Sequence, residues 1–208
     1  MIALIDYHAG NLMSVKKAFA AIGAELYVPK TPADLDEASA VVVPGVGHFG
    51  ATRALEGAWT SRILARLGEG RPLFGICLGM QWLFEGSDEA DCPGLGLLAG
   101  RCVRLSGLSG SDPGQTRVRP LKVPHVGWNS LALQREESIS EGIAPDTQMY
   151  FTHSYVAPVT DDTVAVTEHG QPFAAIVSHG QVSGVQFHPE KSGEAGLQIL
   201  RNFLELTR

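Results

Sequence analysis

The apolar run Leu73–Ile76 breaks at Gly75-Ile76-Cys77-Leu78-Gly79, and a new apolar, helix-like segment starts at Met80–Phe84. A strand that turns into a helix over so few residues needs small residues on both sides, and Gly75 and Gly79 supply them. Such a turn places its central side chain at the top of a sheet. It also puts that side chain at a helix N-terminus, where free N–H groups and partial positive charge favour a thiolate. Most lone cysteines are inert buried thiols. The flanking glycines make Cys77 a candidate nucleophile, with the Leu78 N–H available to an oxyanion.

The turn sits in a chain that alternates strands and helices. Ile2–Ile5 is an apolar run, and Asn11–Ile22 carries Leu12, Val15, Phe19 and Ile22 at helical spacing. Leu26–Val28 is a second short strand, and Thr31-Pro32-Ala33-Asp34 has the capping chemistry of a helix start. Ala40–Val43 is a strand that stops at Pro44-Gly45, and a helix is expected within Phe49–Leu67. The pattern predicts an α/β fold: a mostly parallel central sheet flanked by helices. Beyond Gly100 the runs are short and β-rich: Cys102–Leu105, Tyr150–His153, Val164–Thr167, Phe173–Val177 and Val182–Phe187. They predict an antiparallel β extension with a hairpin at His179-Gly180. Ala195–Leu206 is a final helix, and the Gly/Ser-rich Ser106–Gln115 reads as a mobile surface loop. One domain over residues 1–208 is the economical reading.

Composition narrows the function classes. With 44% hydrophobic and 18% charged residues, the chain has ample material for a core. A net charge of −6 offers no electrostatic case for nucleic acid or an anionic membrane. Met1–Asp6 reads as a strand and not a signal peptide, and no apolar run is long enough to span a bilayer. Three cysteines, Cys77, Cys92 and Cys102, suggest a reducing cytoplasm in place of a disulfide framework. Their spacing lacks paired metal ligands, so neither a metal nor a cofactor is expected.

Two further segments could serve a nucleophile. In Gln186-Phe187-His188-Pro189-Glu190, residues two apart project to one side, so Glu190 can reach the ring of His188. An imidazole held by a carboxylate has a fixed tautomer and a stabilised cation, as a base serving a thiol requires. Taken alone, the segment could equally be a solvated turn. Val41–Val43 opens into Pro44-Gly45-Val46-Gly47-His48, which lacks the Lys of a phosphate loop. Its glycines allow a backbone N–H to approach a ligand closely, opposite the Leu78 N–H. A plain connecting loop would read the same way.

Together these three elements resemble the class I, triad-type glutamine amidotransferases, a flavodoxin-like fold, over essentially the whole chain. The resemblance implies that Cys77 attacks the side-chain amide of L-glutamine and that a glutamyl thioester forms and is hydrolysed. It also makes His188 the acid/base and Glu190 its orienter. Val46, in the loop with Gly45 and Gly47 at the substrate, and Leu78 would supply oxyanion N–H groups, and Gln81 would help hold the amino-acid end of glutamine. Asp6–Leu12, Lys122–Asn129 and Tyr150–Tyr155 narrow the likeness to the glutaminase subunits of imidazole glycerol phosphate synthases. That implies His153, Ser154 and Tyr155 as pocket residues and a heterodimer with a (β/α)8-barrel cyclase subunit in histidine biosynthesis. Asn11, Ser14, Lys122, Pro124, His125 and Trp128 become candidate contacts with it. His8 departs from the family, which usually has Gly there. The competing readings are the glutaminase subunit of another amidotransferase such as anthranilate synthase, a cysteine peptidase or γ-glutamyl hydrolase, and a non-enzymatic glutamine-binding module.

Overall fold

The computed structural model describes residues 1–109 and 119–208. An eight-stranded sheet forms its centre. The first four strands, β1 (Ile2–Leu4), β2 (Leu26–Tyr27), β3 (Ala40–Val43) and β4 (Leu73–Ile76), lie side by side in the order 2-1-3-4, all parallel. Val182–Val185 adds a fifth parallel strand against β4. Pro172–His179, Thr163–Glu168 and Ala132–Leu133 continue the sheet antiparallel. This is the expected α/β sheet with its antiparallel extension.

Alternation along the strands builds two cores. Ile2, Leu4, Val42, Phe74 and Ile76 face one side, and Ala3, Ile5, Val41, Val43 and Leu73 the other. Successive side chains in a strand point to opposite faces, so continuous apolar runs mean a sheet covered on both sides. Helix α1 (Leu12–Ala21) and the last helix, α4 (Gly193–Leu206), cover the first face with Val15, Phe19, Ile199, Leu200 and Phe203. Helices α2 (Ala58–Gly68) and α3 (Leu78–Trp82) cover the second with Ile63, Leu78, Met80 and Trp82. Register brings Val43 level with Gly75, and Gly75 level with Gly184. The loops leaving β3, β4 and the Val182 strand therefore emerge together at one sheet edge.

Several elements differ in detail from the sequence reading. The segment after Thr31 is a 3-10 turn, Pro32–Glu37, because Asp34 bends back to accept the Lys30 and Thr31 N–H groups at 2.7 and 2.9 Å. The expected helix within Phe49–Leu67 splits into a 3-10 piece, Phe49–Leu55, and α2, separated by Gly57 at φ +71°. Helix α3 begins at Leu78 but ends after five residues, since Phe84–Ser87 is drawn into a second sheet with Ala90–Pro93, Leu98–Arg104 and Tyr155–Val156. His125–Ser130 pairs antiparallel with Gln148–His153. Of the loop expected at Ser106–Gln115, residues 110–115 lie outside the described residues, while Leu108–Ser109 pairs with Arg119–Pro120.

Candidate active site

Cys77 caps β4 with φ +53° and ψ −106°, a backbone conformation that costs a non-glycine residue on the order of 1–3 kcal/mol. Its N–H donates to Val185 C=O at 2.8 Å, and its C=O accepts from Gln81 N–H at 3.1 Å, so neighbouring elements hold the strain in place. The glycines do what the turn requires. A Cβ on Gly79 would stand 1.8 Å from Val43 O, and one on Gly75 would stand 2.6 Å from Gly79 O. Helix α3 is so short that its dipole gives the thiol less help than a full helix would.

His188 and Glu190 come together as their spacing suggested. His188 Nδ1 is 2.8 Å from Glu190 Oε1, with both side chains almost wholly buried. The other ring nitrogen, Nε2, is buried and makes no hydrogen bond among the described residues. Burial alone would lower the His188 pKa. The neighbouring Cys77 and Glu190 outweigh it and push the imidazole up to about 10, which favours an imidazolium beside the sulfur. Ser192, which the sequence did not single out, locks the backbone here. Its hydroxyl donates to His188 C=O at 2.7 Å and accepts the Tyr150 N–H at 3.0 Å.

A cleft of about 210 Å³ opens over the sulfur, lined by Gly47, Cys77, Leu78, Gln81, Glu89, Pro124, Thr152, His153, Ser154 and Tyr155. Beside the nucleophile it contains six of the residues expected to hold substrate: Gly47, Leu78, Gln81, His153, Ser154 and Tyr155. Glu89, which no motif marked, joins them, and its carboxylate accepts the Phe49 N–H at 2.6 Å. A larger groove of about 890 Å³ at Leu133–Pro145 lies elsewhere and contains none of the triad.

The wall of the cleft is set by a chain of fixed polarity. Tyr155 C=O can only accept, so His153 Nδ1, 3.0 Å away, must carry its proton. His153 Nε2 then accepts from His125 Nδ1–H at 3.1 Å, and His125 Nε2 accepts from Asn129 Nδ2 at 3.3 Å. Burial holds both rings neutral, with the charge of a neighbouring His adding to it: the His125 pKa falls to about 4 and that of His153 to about 3. His125 is buried, stacked on Phe151 and His169, so it belongs to this wall and offers almost no surface to a partner.

In the loop after β3, the N–H groups expected to serve an oxyanion are occupied. Leu78 N–H donates to Gly45 C=O at 3.3 Å, and Val46 N–H donates to Ala9 C=O at 2.9 Å. Gly45 C=O and Val46 N–H belong to one peptide unit, so a single peptide orientation occupies both. Of the three loop residues only Gly47 reaches the cleft, at φ +101°. Gly45 packs beneath it, where a Cβ would stand 2.0 Å from the Tyr7 hydroxyl. At His8 the chain keeps a left-handed conformation, φ +63°, with its N–H held by Asp6 at 2.9 Å. A glycine would adopt that geometry freely; His8 takes it under strain.

The arrangement can carry out nucleophilic acyl transfer: a strained thiol, an imidazole held by a carboxylate, and backbone N–H groups one peptide turn from the cleft. Comparison with known proteins agrees. Residues 3–206 match the family model Glutamine amidotransferase class-I. The chain is 43% identical over 210 residues to imidazole glycerol phosphate synthase subunit HisH of Methanothermobacter thermautotrophicus, covering 100% of both chains. It is 44% identical over 214 residues to the same subunit of Natronomonas pharaonis, covering 98% of this chain and 94% of that one. A solved glutamine amidotransferase superposes with a TM-score of 0.72 at 22% identity, covering 100% and 99% of the two chains.

Proposed function

The chain belongs to the class-I glutamine amidotransferase family, and from that premise we propose that Cys77, His188 and Glu190 are its catalytic triad. It is a glutaminase of the imidazole glycerol phosphate synthase type, hydrolysing L-glutamine to glutamate and ammonia. In the proposed reaction the Cys77 thiolate attacks the side-chain amide carbon, and His188 gives its proton to the departing nitrogen. Ammonia leaves and a γ-glutamyl thioester remains. His188, neutral again, takes a proton from water as it attacks the thioester, and the thiolate departs with glutamate. Glu190 keeps the imidazole in one tautomer throughout. The observation that carries this reading is a backbone-strained Cys77 that opens on the cleft and has the buried His188–Glu190 couple for a neighbour.

The other residues take roles suited to their positions. Gln81 uses its amide N–H groups on Tyr155 C=O and Gln186, so its oxygen is free to accept from the substrate α-ammonium. Glu89 places a carboxylate near the same end. His153, Ser154 and Tyr155 form the facing wall. Turning the Gly45–Val46 peptide would release Leu78 N–H and swing Val46 N–H toward the oxyanion. We assign that turn to partner docking.

A synthase subunit works with a cyclase partner; a (β/α)8 barrel is our reading of that partner. Met13, Val46, Val126 and Trp128 are exposed apolar side chains suited to meeting it, with Lys122 and Pro124 exposed beside them. We also propose that residues 1–208 act as one glutaminase domain, since both cores share one sheet, and that they work in the cytoplasm, where Cys77 stays reduced. No helix of the described residues is long and apolar enough to cross a membrane. The test is Cys77→Ala in the two-subunit complex. Glutamine-dependent synthesis should vanish while synthesis from ammonium salts persists. Retained glutamine hydrolysis would remove Cys77 from the mechanism.

A further inference from the structure

Gln186 is fully buried, and its polar side chain reaches the nucleophile. Its Nε2 lies 3.6 Å from Cys77 Sγ, and its Oε1 lies 3.0 Å from Gln81 Nε2. The two ends of a carboxamide are alike in shape, so its direction follows from its partners. The chain ends on Tyr155 C=O, which only accepts. Gln81 must therefore turn its NH2 toward Tyr155, at 2.8 Å. The second hydrogen of that NH2 serves Gln186 Oε1. Gln186 is left with one consistent orientation, its own NH2 facing the sulfur. The reverse would set two NH2 groups against each other and press a carbonyl oxygen on a thiolate.

We propose that Gln186 is a catalytic residue: its carboxamide donates an N–H to Cys77 Sγ, with Gln81 and Tyr155 positioning it. The proposal rests on the reading of Cys77 as the nucleophile. The bond stabilises the thiolate before attack and again when the thiolate leaves the hydrolysed thioester. It adds a neutral donor to the charge of the neighbouring His188. It involves neither the oxyanion N–H groups nor Glu190.

Alkylation tests this without requiring turnover. Cys77 modification by iodoacetamide is followed against pH in the intact chain, read at the Cys77 peptide so that Cys92 and Cys102 do not contribute. Gln186→Met keeps the length and removes the donor. Its alkylation midpoint should rise by about one pH unit, or roughly tenfold slower reaction below the midpoint. A folded Gln186→Met with an unmoved midpoint overturns the proposal. A second measurement needs no folded variant at this site. In the wild-type chain labelled with 15N-glutamine, a side-chain NH2 pair should titrate with the Cys77 alkylation midpoint, and that movement should be lost in Cys77→Ala. No such pair, or one that still moves in Cys77→Ala, overturns it. Glutamine hydrolysis surviving in Cys77→Ala would instead sink the reading of the nucleophile.

Discussion

Acidification from pH 7 to pH 5 should destabilise this fold through two histidines of the cleft wall. Both His125 and His153 are buried, and both must stay neutral to keep the chain from Tyr155 C=O to Asn129 intact. Folded, they resist protonation until about pH 4 and about pH 3. Unfolded, each takes a proton near its ordinary value of about 6.5. The unfolded chain thus binds more protons across this interval, so stability falls as pH falls. Integrated from pH 7 to 5, each ring costs about 2 kcal/mol, and the pair at most about 4. His188 works the other way. Its folded pKa is raised, so its contribution is complete below the unfolded value and is lost as pH rises toward about 10. Between pH 7 and 5 it returns about 1 kcal/mol, leaving a net loss of roughly 2–3 kcal/mol, a large share of typical domain stability. Urea unfolding followed by Trp fluorescence, at fixed ionic strength at both pH values, measures this. His125→Gln retains an N–H for His153 Nε2 and removes one titration, so its acid loss should be about 2 kcal/mol smaller. Equal losses in His125→Gln and the wild type would show that the cost lies elsewhere.

Three further outcomes follow from the geometry. Gly79→Ala drives a Cβ to 1.8 Å from Val43 O, and backbone cannot yield cheaply; we expect about 3 kcal/mol or more of lost stability in thermal melts, or no soluble protein. Glu190→Gln breaks the 2.8 Å charged contact that sets the His188 tautomer; kcat for glutamine hydrolysis should fall by roughly 10²–10⁴ with a far smaller change in KM, as steady-state kinetics in the complex would show. Trp128→Ala removes a large exposed ring from the proposed docking face; titration calorimetry with the cyclase should lose about 2 kcal/mol or more of binding energy while the isolated subunit melts unchanged.

Local physical necessity made parts of this site legible. The turn at Gly75-Ile76-Cys77-Leu78-Gly79 shows in sequence because the space allowed at two glycines lies within the turn and the adjoining strand. His188 and Glu190 show because their pairing spans two residues. The partnership of His125 with His153 does not, since it depends on the register of an antiparallel ribbon whose first strand, His125–Ser130, carried no clear alternating signal. Gln81 and Gln186 lie 105 positions apart, and only the fold makes them a chain to the sulfur. The apolar Met80–Phe84 reads as the start of a helix, but a strand at Phe84–Ser87 claims its end, tertiary pairing overriding local preference.

The oxyanion loop shows a deeper limit. Sequence marks Gly45, Val46, Gly47 and Leu78 as possible donors, yet a peptide unit presents N–H on one side and C=O on the other. Which side faces the cleft is a torsional state and not a residue identity. Gly45 and Val46 flank that unit: Gly45 takes either ψ at little intrinsic cost, while the turn also rotates φ of the β-branched Val46, which resists it. The orientation seen here is stabilised by two hydrogen bonds, Val46 N–H to Ala9 and Leu78 N–H to Gly45. Each contributes only about 1 kcal/mol net. Holding the turned state at 99:1 over one that starts at 1:99 takes about 5.5 kcal/mol of differential binding. The proposed docking face, with Met13, Val126 and Trp128 exposed on it, is of a kind that can supply that. In the proposed reading residue identity specifies the chemistry, and partner docking sets its timing by turning one peptide.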